Sequence, residues 1–338
     1  MTFSFRFKSL VFALASLMLM AGCNTNSANN SDTQTPTNST SNTSTNEHGG
    51  SHSNDKKINI NSAILSELDK LEAKLGIPAL SNKIQGSRPY ANPEELVSKK
   101  VITQEQFDQI KDMVTVEDIT LTGEAKDVDY MTKLGLMKGH LIVAKELLDQ
   151  KKPDQAEPHI GHPVEEIYVD VEEQLKERNV KEFKSSLINL QNLVKANGKN
   201  EQIKPEFEAS MQAIDSAIKG LPENQRNNPK FVLQVINELL DAANSEYGAA
   251  IANGKIAAAI EYQDSRGFVI YANSLYKTIS KQVSTQNPEQ HKAIENSMAE
   301  LIKIWPQAMP PAAPVSTPEQ VNKLVKTIEE NTQKIIKS

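Results

Sequence analysis

Apolar residues return every three or four positions along most of this chain. Leu134, Met137, Leu141, Ala144 and Leu148 form one such series. Phe183, Leu187, Leu190 and Leu193 form a second, and Val232, Val235, Ile236, Leu239 and Leu240 a third. That period stacks side chains on one face of an α-helix, so each series predicts an amphipathic helix with a buried stripe. No segment shows the sustained alternation of a half-buried strand. The expected fold is all-α.

Breakers divide the helical text. Residues 58–115 read as one compact unit, followed by a run over 128–221 that stops at Gly220-Leu221-Pro222. A last run covers 229–338, interrupted by Pro306 and by the extended segment Pro310-Pro311-Ala312-Ala313-Pro314, where prolines block helix. Thr317-Pro318-Glu319-Gln320 then opens a terminal helix, with Thr317 as N-cap, Pro318 at the first helical position and Gln320 closing a capping box. The domain boundaries expected are 58–115, 116–225 and 226–338. The two larger pieces read as possible related halves: at an offset of about one hundred residues His140 stands opposite Asp241 and His162 opposite Gln263.

Composition adds two constraints. A net charge of −6 argues against a protein built to coat nucleic acid. A single cysteine, Cys23, excludes an intramolecular disulfide. That cysteine closes the N-terminal segment, in which Arg6 and Lys8 precede a short apolar run from Leu10 to Met20. The run is too short for a comfortable membrane span and has the layout of an export signal. It ends in Leu19-Met20-Ala21-Gly22-Cys23, which resembles a bacterial lipobox with Met20 at a position where Leu is commoner. The resemblance implies that residues 1–22 are removed and that Cys23 carries lipid, several acyl chains giving a stable anchor. An ordinary secretory peptide cut after Ala21 or Gly22 is the alternative. Asn24 is not the Asp that resembles an inner-membrane retention signal, which points to the outer membrane or cell surface. Residues 23–57 are rich in Asn, Ser and Thr and read as a disordered tether, with His48 and His52 near its end.

The compact unit opens Ile58-Asn59-Ile60-Asn61-Ser62-Ala63 and continues through Leu75-Gly76-Ile77-Pro78-Ala79-Leu80, Arg88-Pro89-Tyr90 and Glu94-Glu95-Leu96-Val97. It resembles the tandem helix-hairpin-helix domain of the competence protein ComEA. The resemblance implies duplex DNA binding, with hairpin N–H groups on a phosphate and Gly76, Ile77, Lys83, Arg88, Lys99 and Lys100 as contacts. Two departures oppose it. Pro78 replaces the second hairpin glycine and Val101-Ile102-Thr103 has none, while seven basic residues face eight acidic ones within 58–115. Little counterion release follows from such a balance. The run Arg88-Pro89-Tyr90-Ala91-Asn92-Pro93-Glu94-Glu95-Leu96 also resembles PsbU, in which the same hairpin fold serves protein contacts.

His140, His159, His162 and Glu165 are the candidate ligands of a divalent metal ion, the text being Pro158-His159-Ile160-Gly161-His162-Pro163-Val164-Glu165-Glu166. His-x-x-Glu places both groups on one helical face. It resembles, with its glycine displaced by one residue, the His-x-x-Glu element of imelysin-type periplasmic proteins, which implies iron. The competing reading makes Pro163 the first residue of a helix, His162 its N-cap and Glu165 the capping-box partner. Glu261, Asp264 and Arg266 read either as a buried polar cluster or as a solvated ion-pair face. No nucleophilic cysteine, hydrolase triad context or phosphate-binding glycine loop is present, so no enzyme is expected. The expected protein is a lipid-tethered, non-catalytic envelope protein that contacts a protein partner or captures a ligand. DNA reception and metal binding are the alternatives.

Overall fold

A computed structural model describes residues 57–118 and 120–338; the expectations on Cys23, the tether, His48 and His52 lie outside them. The hairpin module begins with β1 (Ile58–Asn59), then α1 (Leu65–Leu75), α2 (Leu80–Gly86), α3 (Glu95–Ser98) and α4 (Gln104–Ile110). It closes with β2 (Val114–Thr115), which pairs parallel to β1, Ile58 opposite Val114. Gly76 ends α1 in the left-handed region (φ 64°), where its missing Cβ removes the strain of the turn. Ile60, Leu68, Leu71, Leu80, Ile84 and Tyr90 fill a core belonging to this module.

The helical region follows as α5 (Gly123–Asp149), α6 (Pro153–Ala156) and α7 (Pro158–His162). A π-helical turn over Pro163–Ile167 runs directly into α8 (Tyr168–Glu177), then come α9 (Lys184–Ala196), α10 (Ile203–Ile218) and α11 (Glu223–Arg226). The remainder is α12 (Pro229–Ala250), β3 (Ile251–Ala252), β4 (Lys255–Ile256), α13 (Ala259–Gln286), α14 (Pro288–Ile304) and α15 (Pro318–Ile336). The fold is all-α, a hairpin module followed by a larger helical region. The strands, absent from the sequence reading, are two-residue pairings. One of them is the turn between α12 and α13, where Asn253 (φ 53°) and Gly254 (φ 69°) take the paired positive φ of a tight β-hairpin. Thr317 caps α15 as its capping box predicts, Gln320 N–H donating to Thr317 Oγ1 at 3.3 Å and Thr317 N–H to Gln320 Oε1 at 3.1 Å. Among the described residues no helix is long and apolar enough to cross a membrane.

Two contacts bring the functional site together. First, α5 crosses α13 at glycine. A Cβ on Gly267 would lie 2.2 Å from the Gly139 carbonyl oxygen, and one on Gly139 would lie 2.5 Å from Phe268 Cδ1. Second, α1 docks on α12: Ile64, just ahead of α1, is buried in the core of the helical region, not in its own module's core. Lys70 pairs with Asp241 at 2.5 Å, and a Cβ on Gly248 would lie 2.8 Å from that of Ala73.

Candidate functional site

His140, beside the Gly139 crossing on α5, and Asp264, three residues before Gly267 on α13, meet because glycine lets the two backbones touch. His140 Nδ1 lies 2.6 Å from Asp264 Oδ1 and His159 Nδ1 lies 2.7 Å from the same oxygen. His162 Nδ1 lies 3.8 Å from Asp264 Oδ2. His140, His162 and Asp264 each offer a ligand atom, and these atoms lie within 4.8 Å of one another. Phe268 backs the His140 ring edge-on, with centroids 5.0 Å apart.

The charge states of Asp264 and His140 suit a metal, while His162 holds a proton that an ion would have to displace. Burial opposes a charged Asp264, yet the surrounding histidines outweigh it and hold the carboxyl well below its usual range. Burial likewise lowers His140, beyond what Asp264 restores. A neutral His140 that donates Nδ1–H to Asp264 keeps the Nε2 lone pair available, the usual arrangement behind a metal-bound imidazole. For His162 burial is outweighed by Asp264, with Glu166 and Glu261 adding to it, and its pKa rises to about 9.

Four expectations are corrected here. Glu165 is exposed to solvent, while its neighbour Glu166 lines the cavity beside His162. The π-helical turn is the reason: with more residues per turn, the fourth residue after His162 shares its side, where an α-helix would also favour the third. His162 is not an N-cap. Its backbone is helical (φ −53°, ψ −49°) and its side chain caps nothing, because α7, the π turn and α8 run on continuously. His159 is wholly buried with both ring nitrogens engaged, Nε2 lying 2.8 Å from Gln263 Oε1, so it positions Asp264 and offers no lone pair to an ion. Asp264 is buried, so the solvated-face reading fails; Arg266 leaves the cluster for Glu146 at 2.9 Å.

The nucleic-acid candidates lie elsewhere, on the hairpin module, and three are already employed. Lys83 Nζ donates to the Val101 carbonyl at 2.6 Å. Arg88 donates from Nε to the Ile60 carbonyl at 2.7 Å and from Nη2 to the Ala63 carbonyl at 2.6 Å. Lys99 donates to the carbonyls of Ser87 and Pro89. Lys100 is exposed in the left-handed region (φ 58°), and Ile77 packs against the module's core behind Gly76. At the hairpin itself the Glu72 carboxylate accepts the N–H groups of Ala79 at 2.8 Å and Ser81 at 3.1 Å, an internal anion on donors a phosphate would need. Duplex DNA is therefore expected to bind only in the weak non-specific range, about 10⁻⁴ M at physiological salt. A salt-sensitive micromolar complex in a fluorescence anisotropy titration would contradict this.

Comparison with known families agrees with both parts of the fold. Residues 53–115 match the helix-hairpin-helix motif family. Residues 222–338 match the iron permease-associated 4-helix bundle domain, which is consistent with the imelysin-like resemblance of the helical region. No curated protein and no solved structure matches the chain. The matched segment contains Glu246, Glu261 and Asp264; His140, His162 and Glu166 come from the part of the chain before it.

Sequence reasoning missed Glu166, Glu246 and Asp69. A signal existed for Glu246, which continues the apolar stripe Leu239, Ala242 and Ala243 of α12 and so had to be buried. Asp69 similarly sits between Leu68 and Leu71 on α1.

Proposed function

We propose that this protein captures a divalent transition-metal cation, iron foremost, in the cavity formed by His140, His162, Asp264 and Glu166. The observation that supports it is the convergence of two imidazoles and a buried carboxylate from α5, α7 and α13 on one small space. Imidazole with carboxylate suits Fe²⁺, Mn²⁺ or Zn²⁺ more than soft Cu⁺. The likeness of residues 222–338 to a domain associated with iron permeases favours iron among these. The cavity offers about 30 Å³, room for an ion and its water and far too little for an organic ligand. The role is capture without turnover, and the lipobox at Cys23 supports a place in the cell envelope on a lipid anchor. The engaged cations of the hairpin module count against DNA reception.

Calorimetry and thermal melting of the full chain with anaerobic Fe²⁺, Mn²⁺ and Zn²⁺ test the reading. Binding is expected for the wild type, with stabilisation of about 2.7 kcal/mol when free ion reaches a hundred times the dissociation constant. His140→Ala and His162→Ala should each abolish both the heat and the thermal shift. Absence of both signals in the wild type with all three ions would end the proposal.

A further inference from the structure

The cavity that holds His140 and His162 is not walled by the helical region alone. Its other side is α1 of the hairpin module, which contributes Ser66 and Asp69. Facing them are Glu246 of α12 and Glu261 of α13. Asp69 and Glu246 are 6% and 3% exposed, and they stand within hydrogen-bonding reach of each other. Two carboxyl groups can bond in this way only by sharing a proton. Neither lysine nor arginine lines the cavity. Lys70, the next residue along α1, turns away to Asp241. Burial pushes Asp69 up to about 8, with Glu72 and Glu261 adding repulsion against the hydrogen bond of Ser81, and drives Glu246 well up for the same reason.

Burying carboxyl groups in excess of their counter-charge is costly, and apolar residues of similar volume would serve packing better. Yet Asp69 is held in place. The Ser81 hydroxyl donates to it, Ser81 is fixed by its own N–H on Glu72, and Leu65 N–H donates to Glu166 Oε2 at 3.2 Å, tying the start of α1 to the π turn. The acids thus lie at the seam between module and bundle, in the space that already holds two imidazoles. The seam holds more carboxyl groups than positive charge: Asp69, Glu166, Glu246, Glu261 and Asp264 line it against the single cationic side chain of His162.

We propose that Asp69 is a cation ligand supplied by the hairpin module, so that the module forms one wall of the metal site and the bound ion fastens it to the helical region. This rests on the cation-site reading above and assigns the hairpin fold a new task. Its helix α1 carries a ligand instead of reading a phosphate backbone. The ion replaces the proton between Asp69 and Glu246, binding it and docking α1 are linked, and a carboxylate-rich set with two imidazoles selects Mn²⁺ or Fe²⁺.

The test uses the full chain with Mn²⁺ as probe, comparing wild type, Asp69→Asn and His140→Ala. Asp69→Asn should melt higher than wild type in chelator, because an amide relieves the carboxyl repulsion and still bonds Glu246. The same variant should bind Mn²⁺ roughly 10–100-fold more weakly by calorimetry. A purely structural Asp69 would not give opposite signs in the two measurements. On the wild type alone, Mn²⁺ should slow amide hydrogen exchange across Leu65–Leu75, a readout independent of any variant's folding. If Asp69→Asn binds Mn²⁺ as the wild type does while His140→Ala does not, the inference is overturned and the histidine site stands. Unchanged exchange in α1 on Mn²⁺ saturation also overturns it. If the wild type binds none of the three ions, both readings fall together.

Discussion

Gly267→Ala should lower the melting temperature by roughly 4–10 °C, the largest single-substitution effect expected in this protein. The new Cβ would lie 2.2 Å from the Gly139 carbonyl oxygen and 2.7 Å from its carbonyl carbon, both backbone atoms that cannot rotate away. Helices α5 and α13 must therefore separate. Overpacking of this kind costs typically about 1–3 kcal/mol. The collision is with backbone, so the upper end applies, against about 0.5–1 kcal/mol recovered from alanine's better helix propensity. At about 2–4 °C per kcal/mol for domains of this order of size, the loss is readable by calorimetry. The consequence reaches the site, because the 2.6 Å contact of His140 with Asp264 exists only while the two backbones touch. Metal binding should fall with stability. Gly86→Ala, where a Cβ meets nothing within 4 Å, is the control and should change little. A Gly267→Ala protein that melts within two degrees of wild type, about the resolution of such a comparison, would refute the account of the crossing.

The second large effect is on pH dependence, and it should change with the ion. In chelator, stability should fall steadily as pH rises from about 6 to 9. Asp69, raised from 3.8 to about 8, keeps in the folded state a proton that the unfolded chain has lost, so its contribution declines between those values. His162, raised from 6.5 to about 9, contributes fully below 6.5 and loses that contribution as pH climbs through 9. Glu246, Glu166 and Glu261, all raised by burial, act in the same direction. Asp264 is shifted downward, and its stabilisation is lost only in acid, below this window. A bound cation takes the place of these protons, so saturating Mn²⁺ should stabilise more at pH 8 than at pH 6 and flatten the decline. Melting curves at both pH values, with chelator and with Mn²⁺, measure all four corners. A melting temperature that holds level or rises toward pH 9 in chelator would show that the buried acids do not carry shared protons.

Much of this protein was legible in one dimension. Period-three-and-four apolar spacing gave the helices, Pro and Gly their ends, and Thr317 with Gln320 the cap of α15, because each is decided by neighbours within about one turn. The opening Ile58-Asn59-Ile60-Asn61 and the Gly76-Ile77 hairpin identified the small module for the same local reason. His140 and His162 stood out as chemistry-bearing residues on helices. What the spacing could not give was their company. The register of the π turn, which turns Glu165 to solvent and Glu166 to the cavity, depends on how α7 and α8 pack. The fourth group, Asp264, lies 124 residues beyond His140 and reaches it only through the Gly139–Gly267 crossing. Asp69 and Glu246 belong to different modules, and Lys83, Arg88 and Lys99 could be taken as phosphate contacts until the chain around them supplied carbonyl partners. Local periodicity determines which side of a helix is buried; only long-range packing decides which buried sides face one another, and the site is made of those encounters.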